Sequence, residues 1–263
     1  MGPSSSGQPA PFIAPQQGKR RIGVGHISTT LAARARPTSS SRDQLLPVLL
    51  ALAPLFPQRG LQRGGVVTID IGDAGGGTTL GFALLAAASR ASWCAAVGLA
   101  DPGMVACAEL GVDLGHLVLV PRPGPLWAQA AATLFDGMDV VLLRPPGPVR
   151  RVLARRLAAR ARERRGVLVV LGSRTWPEGG DVQLTVGAGV WQGVEAGHGH
   201  LQGRHLEVLS SGRRAAARPV RVGLWLPGPS GQVVADPTTG ERSKREAEGE
   251  GAAAGRDLVS RHP

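Results

Sequence analysis

The chain reads as an α/β protein: a mostly parallel sheet flanked by helices, with an antiparallel strand extension at the C-terminal edge. Three observations predict this. Short runs rich in Val, Leu and Ile alternate with helical segments between Gly65 and Gly172. Those runs are apolar at successive positions, as strands covered on both faces must be. After Gly172 the alternation stops, and shorter or alternating apolar runs follow, separated by glycine-rich or basic turns.

The elements follow in order. Gly65–Ile71 is an apolar, β-branched strand, and Thr78–Ser89 a helix of mainly Ala and Leu. Trp93–Val97 is the second strand, Met104–Leu110 a short helix and His116–Val120 the third strand. Leu126–Phe135 is helical, Met138–Leu143 is the fourth strand, Val149–Arg165 a helix and Gly166–Gly172 the fifth strand. Val182–Val186, Arg204–Ser210 and Val220–Leu226 form the extension. This core spans residues 43–232. Residues 1–42, rich in Ser, Pro, Gly, Gln and Arg, and residues 233–263, polar and poor in apolar side chains, read as disordered arms.

The 263 residues carry a net charge of +11. Such a balance points to nucleic acid or an acidic protein surface as partner. Codon usage explains part of it: Lys19 and Lys244 are the only lysines, and Asn and Tyr are absent. Projected on a helix, Arg151, Arg155, Arg162 and Arg165 lie opposite the stripe Val149, Leu153, Leu157, Ala161. That face is either solvated or an electrostatic footprint for DNA or a partner. Cys94 and Cys107 have neither zinc-site nor disulfide-framework spacing, so a reduced, cytoplasmic chain is expected. The N-terminus lacks a signal-peptide apolar region, and the run Leu45–Phe56 is short and carries two prolines, so no membrane contact is expected.

The segment "TIDIGDAGGGTTLGFAL" has the strand, glycine-rich loop and helix of a phosphate-binding loop, G-x-x-x-x-G-K-[ST]. Gly72, Gly77 and Thr79 fit the frame, and Thr78 stands at the lysine position. Loop amides and a helix N-terminus still attract anions, whereas Asp73 opposes them. The stretch with His198, His200 and His205 reads as a glycine-rich turn leading into a strand, with no cysteine nearby, and no metal site is expected there. Trp176 and Trp225 are the candidate interface aromatics among the tryptophans.

In order and spacing the chain resembles the RecA recombinase core, and within it the actinobacterial branch of ImuA-type mutagenesis accessory proteins. The residues that carry the resemblance are "GLQRGGVVTIDIG" (Gly60–Gly72), "GGGTTL" (Gly75–Leu80), "ELGVDLGHLVLV" (Glu109–Val120), "MDVVLL" (Met138–Leu143) and the strands from Val182 onward. It implies a RecA-like P-loop NTPase core over residues 45–228, with a degenerate site. Arg144 follows the Walker B strand where an acid should help hold Mg²⁺. The segment Ala95–Gly103 lacks the water-activating glutamate, with Asp101 its only acid. The two DNA-gripping loops are shortened. The expectation is therefore a protein that is not an enzyme, with no cofactor beyond weak ATP binding at Gly72, Gly77, Thr78 and Thr79.

By resemblance it is a scaffold in damage-induced mutagenesis, SOS response and translesion synthesis. Its partners would be an ImuB-type Y-family-like protein, an error-prone C-family DNA polymerase and non-specific DNA, the last through Arg151, Arg155, Arg162, Arg165 and Trp176. Its location would be the cytoplasm, at the nucleoid after damage. Two other classes fit the residues: a DNA-stimulated ATPase with an atypical P-loop, and a SulA-like cell-division inhibitor.

Overall fold

The computed structural model describes residues 44–70, 75–195 and 198–236. The expected N-terminal arm lies outside them, as does most of the expected C-terminal arm. Strand β1 (Leu45–Leu46) pairs antiparallel with β2 (Leu61–Gln62), and a 3-10 segment, Leu50–Leu55, lies between them.

The main sheet contains β3 (Val66–Asp70), β4 (Cys94–Val97), β5 (Leu117–Val120), β6 (Val140–Leu143) and β7 (Val167–Leu171). It continues with β8 (Val182–Glu195), β9 (His198–Gly212), β10 (Val220–Trp225) and β11 (Val234–Ala235). Their spatial order is β11-β10-β9-β8-β3-β7-β6-β4-β5. From β8 through β3 to β5 every pairing is parallel. The extension is antiparallel within itself, at β8–β9, β9–β10 and β10–β11, but its first strand joins β3 in parallel.

Helices α1 (Gly77–Ser89), α2 (Met104–Glu109), α3 (Trp127–Leu134) and α4 (Arg151–Glu163) make the crossovers. Side chains alternate across a strand, so each central strand feeds two cores. On one face Val67, Ile69, Val140, Leu142, Val167 and Val169 pack with α1 and the 3-10 segment. On the other, Val66, Val141, Leu143, Leu168 and Val170 pack with residues of α3 and α4. Both faces are covered, which is why these strands read as continuous apolar runs. Helix α1 lies close on the sheet: a Cβ at Gly81 would stand 3.0 Å from Leu142 and 3.1 Å from Leu171.

Three expectations are corrected. The glycine-rich turn expected around His198 and His200 is already strand. Strands β8 and β9 are far longer than the runs Val182–Val186 and Arg204–Ser210 that announce them. Strand β11 and Asp236, whose N–H donates to the Gly223 carbonyl at 2.9 Å, lie within the segment assigned to the C-terminal arm. No helix among the described residues is long and apolar enough to cross a membrane.

Candidate functional site

The C-terminal ends of the parallel strands converge on the glycine-rich corner. β3 ends at Asp70, and α1 opens at Gly77, with Thr78 and Thr79 half-buried in its first turn. Gly72 lies outside the described residues, and so does Asp73. Gly76 caps α1 in the left-handed region, at φ 85°, and its carbonyl accepts from the Leu80 N–H at 2.9 Å. A residue with a Cβ is strained there, so the glycine is required by the backbone alone.

Three arginines stand on this edge of the sheet. Arg144, directly after β6, is exposed, and its backbone N–H donates to the Val97 carbonyl at 2.9 Å. Arg174, in the turn after β7, lies 3.9 Å from the Asp70 carboxylate. Arg204 of β9 is 8% exposed and lies against the loop: a Cβ on Gly76 would stand 2.9 Å from its Nη1. Its guanidinium carbon sits 5.7 Å from the Trp191 ring centroid, within cation–π range. A Cβ at Gly189 would stand 2.4 Å from its Nε, so glycines on β8 and in the loop together leave the room this side chain fills. A corner with Arg174 and Arg204 beside it, at the positive end of α1, and with Arg144 on the same edge of the sheet, favours anions over a divalent cation. Among the described residues no cluster of His, Cys, Asp and Glu could hold a metal ion.

A second feature gathers several of the residues singled out in the sequence. A cleft of about 230 Å³ opens between α4 and the segment that runs from Trp176 to Asp181. Arg155 and Arg162 reach it from α4, and Arg213 from the end of β9. Glu178 ties the two sides, with Oε1 at 3.3 Å from Arg151 Nε and 3.2 Å from Arg155 Nε. Arg213 donates to the Glu178 carbonyl. Asp181 accepts the Val66 N–H at 2.9 Å and so is committed to the sheet.

Of the predicted contact residues, Arg155, Arg162 and Trp176 line this cleft, Arg151 flanks it, and Arg165 does not join it. Arg165 lies in the turn after α4 at φ 55°, and its carbonyl accepts from Arg63 Nη1 at 3.3 Å. Trp176, a candidate interface aromatic, is 3% exposed and packs in the core under α4, and its Nε1 has no hydrogen-bond partner among the described residues. The exposed tryptophan is Trp191, at 46%. Trp225 is half-buried and stacks edge-on with His205, whose Nε2 lies 2.7 Å from Asp236.

The arginine face of α4 is partly neutralised, by Glu178 on one flank and by Asp136 on the other. Asp136 accepts from Arg160 at 2.5 Å and lies 3.0 Å from Arg164. Sequence reasoning missed Arg204, Arg174, Arg213 and Glu178. The signal for Arg204 was an arginine at the start of a strand of alternating character, but nothing local named its distant glycine neighbours.

Residues 54–178 match the family model of the MT3502 N-terminal domain. The match takes in β2 to β7, all four helices and Trp176 with Glu178, and it leaves the β8–β11 extension outside. The uncharacterized protein Rv3395c of Mycobacterium tuberculosis is 39% identical over 111 residues, which is 40% of this chain and 54% of that protein. The chain therefore spans about half the length of the curated relative it matches.

Proposed function

We propose that this chain is a RecA-like accessory protein that has lost ATP hydrolysis and acts as a scaffold in damage-induced mutagenesis. Its partners are an ImuB-type polymerase relative and an error-prone C-family DNA polymerase. The RecA-like reading is supported by placement. The phosphate-loop strand β3 is central, and β6, at the Walker B position, lies one strand away across β7. Both end on the edge where α1 begins.

The single observation that carries the non-catalytic part is the make-up of that edge. Thr78 replaces the phosphate-binding lysine, and an exposed Arg144 stands where an acid should hold the metal. Phosphoryl transfer depends on positioning and charge stabilisation by those groups, and without them little remains to lower the barrier. The role in mutagenesis rests on the resemblance of motif order.

The test is a gene deletion with an affinity-tagged complement. The deletion is expected to lower damage-induced mutation frequency, and the tagged chain to co-purify a polymerase component from DNA-damaged cells. Unchanged mutagenesis with no polymerase component recovered would sink the reading. Filamentation on overexpression, with mutagenesis intact, would replace it by the division-inhibitor reading.

A further inference from the structure

The cleft between α4 and Trp176–Asp181 has a chemistry that the scaffold reading does not specify. We propose that it is the docking site for an acidic peptide segment of a partner, with a carboxylate side chain inserted between Arg162, Arg155 and Arg213. The inference rests on the scaffold reading only for the partner's identity.

Three observations support it. The volume of about 230 Å³ admits a carboxylate side chain. Its arginines come from separate elements, α4 and the end of β9, and converge on one space. Arg162 is exposed and has no acidic partner among the described residues. Arg213 likewise donates to a backbone carbonyl, that of Glu178, and not to an acid. Trp176 supplies an apolar wall beside them. Arginine and tryptophan at the centre of a recess are the composition of an interface hot spot.

Glu178 shows what the cleft takes. Its carboxylate is shared by Arg151 and Arg155 at 3.3 and 3.2 Å, so the chain already holds one carboxylate at the rim. An incoming acid competes with the Glu178 carboxylate for Arg155 and with the Glu178 carbonyl for Arg213, and it meets Arg162 with no acidic competitor among the described residues. Charge-assisted, forked hydrogen bonds make arginine well suited to this exchange.

A nucleic-acid backbone fits less well. Non-specific phosphate binding grows with the number of cations free to neutralise phosphates. Here Glu178 engages cations on one flank of α4, and Asp136, held by Arg160 and Arg164, does so on the other.

The test uses the full chain and a short fluorescein-labelled peptide of alternating Glu and Leu, read by anisotropy. Labelled oligo-dT serves as the nucleic-acid arm. The wild type is expected to bind the peptide in a salt-sensitive manner. The double variant R162Q/R213Q should weaken binding about tenfold or more, the scale of a lost charge-assisted contact. Glu178→Gln should tighten it several-fold, a gain that misfolding does not produce.

Peptide binding that is absent from the wild type, or unchanged in the double variant, overturns the proposal. So does weaker binding in Glu178→Gln. Oligo-dT that displaces the peptide and loses affinity in the same double variant assigns the cleft to nucleic acid instead. Peptide binding without a co-purified polymerase component keeps the cleft and removes only the mutagenesis reading.

Discussion

The guanidinium of Arg204 rests on Gly76, so close that a Cβ on the glycine would stand 2.9 Å from Nη1. Gly76 also holds φ 85° at the N-cap of α1. The glycines of this loop therefore serve the packing of an arginine from β9 as well as the turn itself. Gly76→Ala meets both penalties, left-handed strain and a contact that only a shifted guanidinium relieves. The expected cost is about 1–3 kcal/mol, measured by urea unfolding. A variant as stable as the wild type would show that the guanidinium moves freely, and that the loop glycine is not needed for it.

Gly98 and Arg144 form a tighter pair at the ends of β4 and β6. A Cβ on Gly98 would stand 2.2 Å from the Arg144 carbonyl oxygen, and the glycine has φ 79°. Neither backbone can yield, because Arg144 N–H is bonded to Val97 and Gly98 N–H to Val120, each at 2.9 Å. Gly98→Ala should cost about 3 kcal/mol or more, well above the Gly76 variant. Arg144→Ala, an exposed change, should cost under about 0.5 kcal/mol. The ranking of the three variants in one unfolding series checks the argument.

The parallel half of the sheet was legible because burial on both faces leaves few polar positions in a strand. Val140–Leu143 and Val167–Leu171 carry the signal in every residue. The extension was only partly legible. Register shifts at Val186/Gly189 and Gln192/Val194 break the two-residue alternation of β8 against β9, so the strand outlives the pattern that announces it. Arg204 faces Trp191 across that irregular ladder and meets Gly76 from far away in the chain, a contact that no local pattern encodes. Arg155, Arg162 and Trp176 were legible one by one. Their convergence on a cleft depended on Glu178 and Arg213, whose roles come from the tertiary fold.

Cys94 opens β4 fully buried, and burial, with a smaller contribution from Asp139, pushes its thiol from 9.0 up to about 12. The thiolate is the reactive form, so native Cys94 should stay unlabelled by iodoacetamide at pH 8 while the urea-unfolded chain reacts. Cys107 is also buried and its thiol is also raised, so it should follow. The sign for stability follows from linkage. The unfolded thiol ionises first, and the stabilisation is complete below pH 9 and is lost as pH climbs toward about 12. Cys94→Ala, compared with wild type across that window, should flatten the decline. Rapid native labelling of Cys94 would contradict its burial.

Restoring the missing lysine separates the loop's history from its present chemistry. Thr78→Lys supplies the charge that the phosphate-loop frame lacks, yet Arg144 still stands where the metal-holding acid would be. The first turn of α1 is also the positive end of its dipole, so a lysine there should lower stability by about 0.3–1 kcal/mol. Phosphate release from Mg·ATP is therefore expected to stay at background for the wild type and for Thr78→Lys, with or without single-stranded DNA. Adding Arg144→Asp removes the cation at the end of β6 and offers the metal a carboxylate. Any nucleotide-dependent rise in melting temperature should appear first in that double variant. Turnover in the wild type would overturn the non-catalytic reading and favour the atypical ATPase. Turnover in Thr78→Lys alone would show that one side chain, rather than the whole edge of the sheet, had been lost.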